Sequence, residues 1–187
     1  MNESISSKNR LNLPNMITLF RLFLIPIFLY IYFKDPDKNL VYSVIIFFIA
    51  GVSDLLDGYL ARKNNQVTPF GTIMDPLADK LMLLTALISY AVSGLIPYGI
   101  LILVAIKESF MIIGGLIVYR WGIINPANYL GKFVTFSFYV GILTLLFQPT
   151  VGIILLFFSA GLSFVAGFSY VKSTIDKRRE NNLKKSS

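Results

Sequence analysis

Six long apolar segments constrain the fold of this chain more than any other feature of its sequence. Each segment is close to the roughly 20 residues that an α-helix needs to cross the hydrocarbon core of a bilayer. Short stretches rich in proline, glycine and asparagine separate them, as expected of turns between helices. We therefore predict an all-α integral membrane protein with six transmembrane helices. These predicted helices cover about residues 16–33, 40–61, 76–96, 97–119, 129–148 and 150–171.

The composition narrows the chemistry that the chain can perform. Of its 187 residues, 55% are hydrophobic, and none is cysteine or histidine. The absence of these two residue types excludes thiol nucleophiles, Ser-His triads, disulfides, Cys/His zinc sites and imidazole acid-base catalysis. Catalysis by this chain must therefore use carboxylates, lysine, arginine, tyrosine or a metal ion held by oxygen atoms.

The distribution of lysine and arginine predicts the orientation in the membrane. Positive residues stay on the cytoplasmic side, and placing the N-terminus there leaves only Lys34 and Lys38 outside. The cytoplasmic positive residues are then Lys8, Arg10, Arg62, Lys63, Arg120, Lys132 and those of the C-terminal tail. We predict that both termini lie in the cytoplasm and that the protein resides in a bacterial inner membrane.

The chain is predicted to form one membrane domain with two flanking segments. Residues 1–15 form a juxtamembrane segment, residues 16–171 form the six-helix domain, and residues 172–187 form a basic tail. The tail shows no apolar periodicity, so we predict that it is disordered or lies on the lipid surface. The net charge of +7 favours anionic lipid over nucleic acid, because the basic residues do not form a stripe with interleaved aromatic residues.

Four aspartates are concentrated where the second predicted helix ends and the third begins. Asp54 and Asp57 are three residues apart, and Asp75 and Asp79 are four apart, so each pair projects from one helix face. A carboxylate at mid-membrane costs roughly 2.5 to 3.5 kcal/mol, and clustered like charges also repel one another. An all-oxygen ligand set suits Mg²⁺, Mn²⁺ or Ca²⁺. We predict that two ions, Mg²⁺ or Mn²⁺, offset the negative charge.

Other interpretations of these aspartates exist. They could be ordinary helix-end carboxylates paired with Arg62, Lys63 and Lys80, although four acids in two matched spacings exceed what such pairing needs. Intramembrane acids also line cation channels and transporters. In that class they should follow a path through the bilayer, whereas these four lie at one end of two adjacent helices.

The spacing of the aspartates resembles a known signature. Between Asp54 and Asp79 the chain reads D-x-x-D-G-x-x-A-R, eight residues, then G-x-x-x-D-x-x-x-D. This resembles the complete signature of the CDP-alcohol phosphotransferases. The resemblance implies a six-helix membrane enzyme, commonly a homodimer, with a polar cavity open to the cytoplasm. Such an enzyme displaces CMP from a CDP-linked donor by an acceptor hydroxyl.

The resemblance also implies a role for each signature residue. Asp54, Asp57 and Asp75 would be metal ligands that hold the donor diphosphate. Asp79 would bind a metal and act as general base on the acceptor hydroxyl. The residues implied in binding the donor are Gly58, Ala61, Arg62 and Gly71.

The first predicted helix indicates the substrates. The stretch NLPNMITLFRLFLIP resembles the start of bacterial phosphatidylglycerophosphate synthases. This implies CDP-diacylglycerol as donor and glycerol 3-phosphate as acceptor. An arginine inside an apolar run is costly unless it faces a polar cavity, although Arg21 could also extend to the interface. The predicted acceptor-binding residues are Thr18, Arg21, Lys107, Arg120 and Lys132.

The second half of the chain departs from the synthase pattern. Gly115 stands where such synthases usually carry an arginine, and Val134 stands in place of a second lysine. Fewer cations are therefore left for the phosphate of the acceptor. The stretch YLGKFVTFSFY also resembles cardiolipin synthases of the same superfamily, whose acceptor is phosphatidylglycerol. Both acceptors stay open at this point.

Overall fold

The structure is a computed structural model that describes the backbone of residues 13–34, 39–63, 69–120 and 129–186. Side chains are described for residues 16–34, 39–56, 74, 77–114 and 129–176. Within these ranges all regular secondary structure is helical, which confirms the predicted all-α class with six helices. The helices are α1 (Leu13–Lys34), α2 (Asn39–Lys63), α3 (Pro69–Val92), α4 (Tyr98–Arg120), α5 (Tyr129–Thr144) and α6 (Pro149–Ser186).

Three of these helices are long and apolar enough to cross a bilayer among the residues with described side chains. The candidate spans are Met16–Lys34, Asn39–Leu56 and Pro149–Asp176, and Tyr129–Thr144 forms a shorter apolar helix. Large apolar side chains such as Phe23 are exposed on these helices, as expected where lipid is the solvent. The chain therefore has the character of an integral membrane protein.

Helices α1 to α3 form the first of two compact units, which covers Met1–Tyr90. An aromatic cluster at its core joins α1 to α3, with the ring centroids of Tyr32 and Tyr90 5.4 Å apart and those of Phe28 and Tyr90 6.2 Å apart. The hydroxyl oxygen of Tyr90 lies 3.2 Å from Oγ of Ser43 on α2. All four residues are buried, so this cluster fixes the three helices against one another at the end of α1 away from Arg21.

The second unit, Ala91–Ser187, contains α4, α5 and α6. Gly94, with φ of 75°, stands in the turn that separates α3 from α4, and its N–H donates to the carbonyl oxygen of Ala91 at 3.0 Å. Only glycine adopts this left-handed conformation without strain. Between α5 and α6, a Cβ added at Gly152 would lie 2.8 Å from the backbone nitrogen of Leu145. Glycine at this position therefore lets the two helices of the hairpin approach closely.

Helix α6 is longer than the sequence predicted. We predicted that residues 172–187 are disordered or lie on the lipid surface. Helix α6 continues as one helix to Ser186, which contradicts disorder, and the position on the lipid surface stays a prediction. The tail contains neither glycine nor proline and is rich in lysine and arginine, which have high helix propensity. Extending an existing helix also avoids the cost of nucleating a new one. The predicted N-terminal segment, residues 1–15, lies outside the residues whose side chains are described.

Candidate active site

The aspartate signature lies on two helices, and α3 begins at Pro69, earlier than the predicted start near residue 76, so that it includes Gly71 and Asp75. Helix α2 continues to Lys63 and α3 begins at Pro69, so both aspartate pairs are in helical backbone. The spacing within each pair therefore places its two members on one helix face. Several predicted site residues of the signature have side chains outside the described set, so their predicted roles stay predictions. These residues are Asp57, Gly58, Ala61, Arg62, Gly71 and Asp75.

Arg21 of α1 joins the two described aspartates of the signature. Its Nη1 atom lies 2.8 Å from Oδ1 of Asp54 on α2 and 3.0 Å from Oδ1 of Asp79 on α3. Both distances are those of charge-assisted hydrogen bonds. The guanidinium donates and the carboxylate oxygens accept, so one nitrogen atom connects three helices. The structure thus confirms that α2 and α3 bring signature aspartates together.

The exposure of these side chains differs between the cation and the acids. The side chain of Arg21 has 0% of its surface exposed, whereas Asp54 and Asp79 have 32% and 33% exposed. Arg21 therefore approaches the carboxylates from the protein interior. About a third of each carboxylate side chain stays accessible from outside, where a ligand could reach it.

Thr18 precedes Arg21 by one helical turn and is also fully buried. The structure thus places both residues on the inner face of α1, since residues three apart share a helix face. A buried arginine needs paired carboxylates to offset the loss of its hydration, and Asp54 and Asp79 meet that need. The contacts of Arg21 with the signature aspartates were not foreseen from the sequence, where it was assigned only to the acceptor.

The described part of this site fits a hard divalent cation. Two carboxylates from different helices contact the same atom, Nη1 of Arg21, and neither a thiolate nor an imidazole is present in the chain. Oxygen ligands of this kind suit Mg²⁺ or Mn²⁺. Asp57 and Asp75 share helix faces with Asp54 and Asp79. Among the described side chains, which include Asp54 and Asp79, no group of three or more possible metal ligands is assembled.

The remaining predicted acceptor residues lie in the second unit. Nζ of Lys107 donates to Oε1 of its neighbour Glu108 at 2.7 Å, and both side chains are largely buried. Nζ of Lys132 lies 5.9 Å from the centroid of the Tyr129 ring, and Lys132 is exposed. The side chain of Arg120 falls outside the described residues. The acceptor-binding roles of these lysines and of Arg120 stay predictions.

Comparison with known proteins identifies the family. The model of the CDP-alcohol phosphatidyltransferase family matches residues 11–165. The chain belongs to this family. That match contains the aspartate signature, Arg21 and all of the predicted acceptor-binding residues, so the family resemblance inferred from the sequence is confirmed.

Individual relatives carry two kinds of name. Proteins named "CDP-diacylglycerol--glycerol-3-phosphate 3-phosphatidyltransferase" include one from Haemophilus influenzae, 47% identical over 79 residues, 42% of this chain and 43% of that protein. Another, from Wigglesworthia glossinidia brevipalpis, is 33% identical over 175 residues, 86% of this chain and 93% of that protein. A Mycobacterium tuberculosis protein named "Putative cardiolipin synthase" is 32% identical over 148 residues, 77% of this chain and 69% of that protein. The chain thus spans less than half of the first relative and most of the other two.

Proposed function

We propose that this family member transfers the phosphatidyl group of CDP-diacylglycerol to glycerol 3-phosphate, giving phosphatidylglycerophosphate and CMP. The observation that carries the proposal is the junction of Asp54 and Asp79 on the Nη1 atom of Arg21, within a complete aspartate signature. Relatives that carry the corresponding enzyme name support the same acceptor. The proposed role is therefore a step in phospholipid biosynthesis.

The arrangement suits a displacement at the phosphorus that carries diacylglycerol. The acceptor oxygen forms a bond to that phosphorus, the bond to the oxygen of CMP breaks, and Asp79 takes the proton of the acceptor hydroxyl. Its 33% exposure gives Asp79 the access to substrate that a general base needs. Asp54, Asp57 and Asp75 would hold divalent metal, which supplies positive charge to the donor diphosphate.

The proposal includes several features that the fold is compatible with. The lysine and arginine distribution supports cytoplasmic termini, and the proposed cavity would then open toward soluble glycerol 3-phosphate. The bacterial inner membrane is the proposed location, two Mg²⁺ or Mn²⁺ ions the proposed cofactors, and a homodimer the proposed assembly. Gly58, Ala61, Arg62 and Gly71 are the proposed donor-binding residues.

A second candidate acceptor, phosphatidylglycerol, is favoured by two observations in the second unit. Val134, which replaces a lysine of the synthase pattern, is 5% exposed, so this position contributes no cation. Lys107 is paired with Glu108, which offsets its charge. An acceptor lipid with a free glycerol hydroxyl needs fewer cations than glycerol 3-phosphate, and the product would then be cardiolipin.

The test is CMP release by the purified protein in detergent, with CDP-diacylglycerol and Mg²⁺ or Mn²⁺. Glycerol 3-phosphate and phosphatidylglycerol are supplied in parallel, and the lipid product is identified by mass spectrometry. We expect glycerol 3-phosphate to stimulate CMP release and EDTA to abolish it. If phosphatidylglycerol gives cardiolipin and glycerol 3-phosphate gives no product, the acceptor is phosphatidylglycerol. No CMP release with either acceptor would contradict both.

A further inference from the structure

We infer that Arg21 is a positioning residue of this site: a built-in counter-cation that holds Asp54 and Asp79 together when no metal is bound. The inference deepens the proposed function, since it rests on the aspartates being a metal site. It also gives Arg21 a task that acceptor binding alone would not require.

The contacts assign Arg21 to the aspartates. A residue that bound only the acceptor would direct its cation toward the opening of the site. Instead, the Nη1 atom of Arg21 is shared between two carboxylate oxygens at 2.8 and 3.0 Å, and its side chain has no exposed surface. The same nitrogen thus links α1 to two helices that supply the proposed metal ligands.

The charges explain why a cation is needed there. Two carboxylates that share one site repel each other, and partial burial strengthens that repulsion by weakening the screening of water. Without metal, a guanidinium between Asp54 and Asp79 replaces the repulsion by two attractions. The pocket for metal then stays assembled while it is empty.

The exposure pattern allows metal and Arg21 to act together. Arg21 contacts the acids from the interior, whereas about a third of each acid faces outward. Metal can approach the outward surface without displacing the guanidinium. Because both cations reduce the same repulsion, their stabilising effects overlap. The loss of Arg21 should therefore be more harmful without metal than with it.

The first experiment measures thermal unfolding of Arg21→Met in detergent, in EDTA and in saturating Mg²⁺ or Mn²⁺. In EDTA we expect the melting temperature to fall by on the order of 5 to 10 °C, a value reduced for the partial exposure of the acids. Metal will also raise the melting temperature of the unchanged protein. In saturating metal, the difference in melting temperature between Arg21→Met and the unchanged protein should be at most half of the difference in EDTA. Arg21→Lys, which keeps the charge, should lose less than Arg21→Met.

Ser43→Ala is the matched control. It also removes a buried polar contact between helices of the first unit, the one from Oγ of Ser43 to the Tyr90 hydroxyl, but no charge. Its effect on the melting temperature should be the same in EDTA and in metal. If Arg21→Met behaves like this control, with equal losses in both conditions, Arg21 has only a packing role and the inference is wrong.

A second experiment tests the coupling without metal. The double variant Asp54→Asn with Arg21→Met is compared with the two single variants in EDTA. Its melting temperature should fall by less than the sum of the two single losses. The reason is that, once Arg21 is gone, Asp54→Asn removes a carboxylate that has lost its cation. Additive losses would overturn the inference. If Arg21→Met cannot be purified, the same cycle with Arg21→Gln, which also removes the charge, decides.

These measurements separate the inference from the proposed function. An unchanged protein that metal does not stabilise and that releases no CMP would refute the proposed function. The cycle in EDTA would still decide whether Arg21 holds the aspartates together. Conversely, metal stabilisation and CMP release with additive losses would leave the function intact and refute the role of Arg21.

Discussion

Replacing Asp79 by asparagine should separate catalysis from folding at this site. The change keeps the size of the side chain and an oxygen that can accept from Nη1 of Arg21, now 3.0 Å from Oδ1. It removes the negative charge and the ability to take a proton. Loss of a general base lowers rates by about 10² to 10⁴, which corresponds to a barrier higher by roughly 3 to 5 kcal/mol. Loss of a metal ligand would reduce the rate further.

The effect of the same change on folding should be small. Asp79 is 33% exposed, and Arg21 keeps its contact with Asp54 at 2.8 Å, so the free energy of unfolding should fall by only about 1 kcal/mol or less. For a chain of this size, such a loss lowers the melting temperature by roughly 2 to 4 °C. A large loss of activity with a small loss of stability therefore marks a catalytic role.

The assay measures initial CMP release and thermal unfolding on one preparation, with saturating donor, acceptor and Mg²⁺ or Mn²⁺. Asp176→Asn is the matched control, because Asp176 is an exposed aspartate on α6 and undergoes the same chemical change. It should release CMP at the unchanged rate. If Asp79→Asn kept more than a tenth of that rate, the assignment of Asp79 as general base would be refuted.

Three further predictions concern packing. Phe28→Ala, at a fully buried ring packed on Tyr32, should lower the free energy of unfolding by about 3 to 5 kcal/mol, measured by denaturation in mixed micelles. Tyr90→Phe should cost only about 1 kcal/mol in the same measurement, since Oγ of Ser43 still donates to the carbonyl oxygen of Leu40 at 2.9 Å. Gly152→Ala should lower the melting temperature, because its Cβ would meet the backbone of Leu145. Gly161→Ala, where no atom lies within 4 Å of the added Cβ, should not lower it.

The sequence predicted the elements of this fold better than their arrangement. Apolar segments of membrane-spanning length predicted six helices, because the bilayer requires backbone hydrogen bonds to be satisfied within each segment. The spacing of Asp75 and Asp79 likewise predicted a shared helix face. Helix α6 was underestimated because a charged tail without apolar periodicity resembles a disordered one, although its residues also favour helix.

Local sequence patterns could not predict which residues Arg21 contacts. An arginine in an apolar run indicated a polar cavity, and the family resemblance directed that expectation to the acceptor. Which carboxylate it meets depends on how α1 packs against α2 and α3, and no periodicity encodes that packing. The pair of Ser43 and Tyr90, 47 residues apart, was missed for the same reason. The one sequence signal for these contacts was the position of Arg21 inside an apolar segment.

The junction at Arg21 has a consequence for how the protein is made. Arg21 leaves the ribosome first, and Asp79 follows 58 residues later. At synthesis rates of about 5 to 20 residues per second, that interval lasts roughly 3 to 12 s. During this time α1 must enter the bilayer with a guanidinium that has not met Asp79, and an isolated charge there is costly. Helix α1 should therefore stay near the insertion machinery, or with its cation turned toward the interface, until α3 has been synthesised.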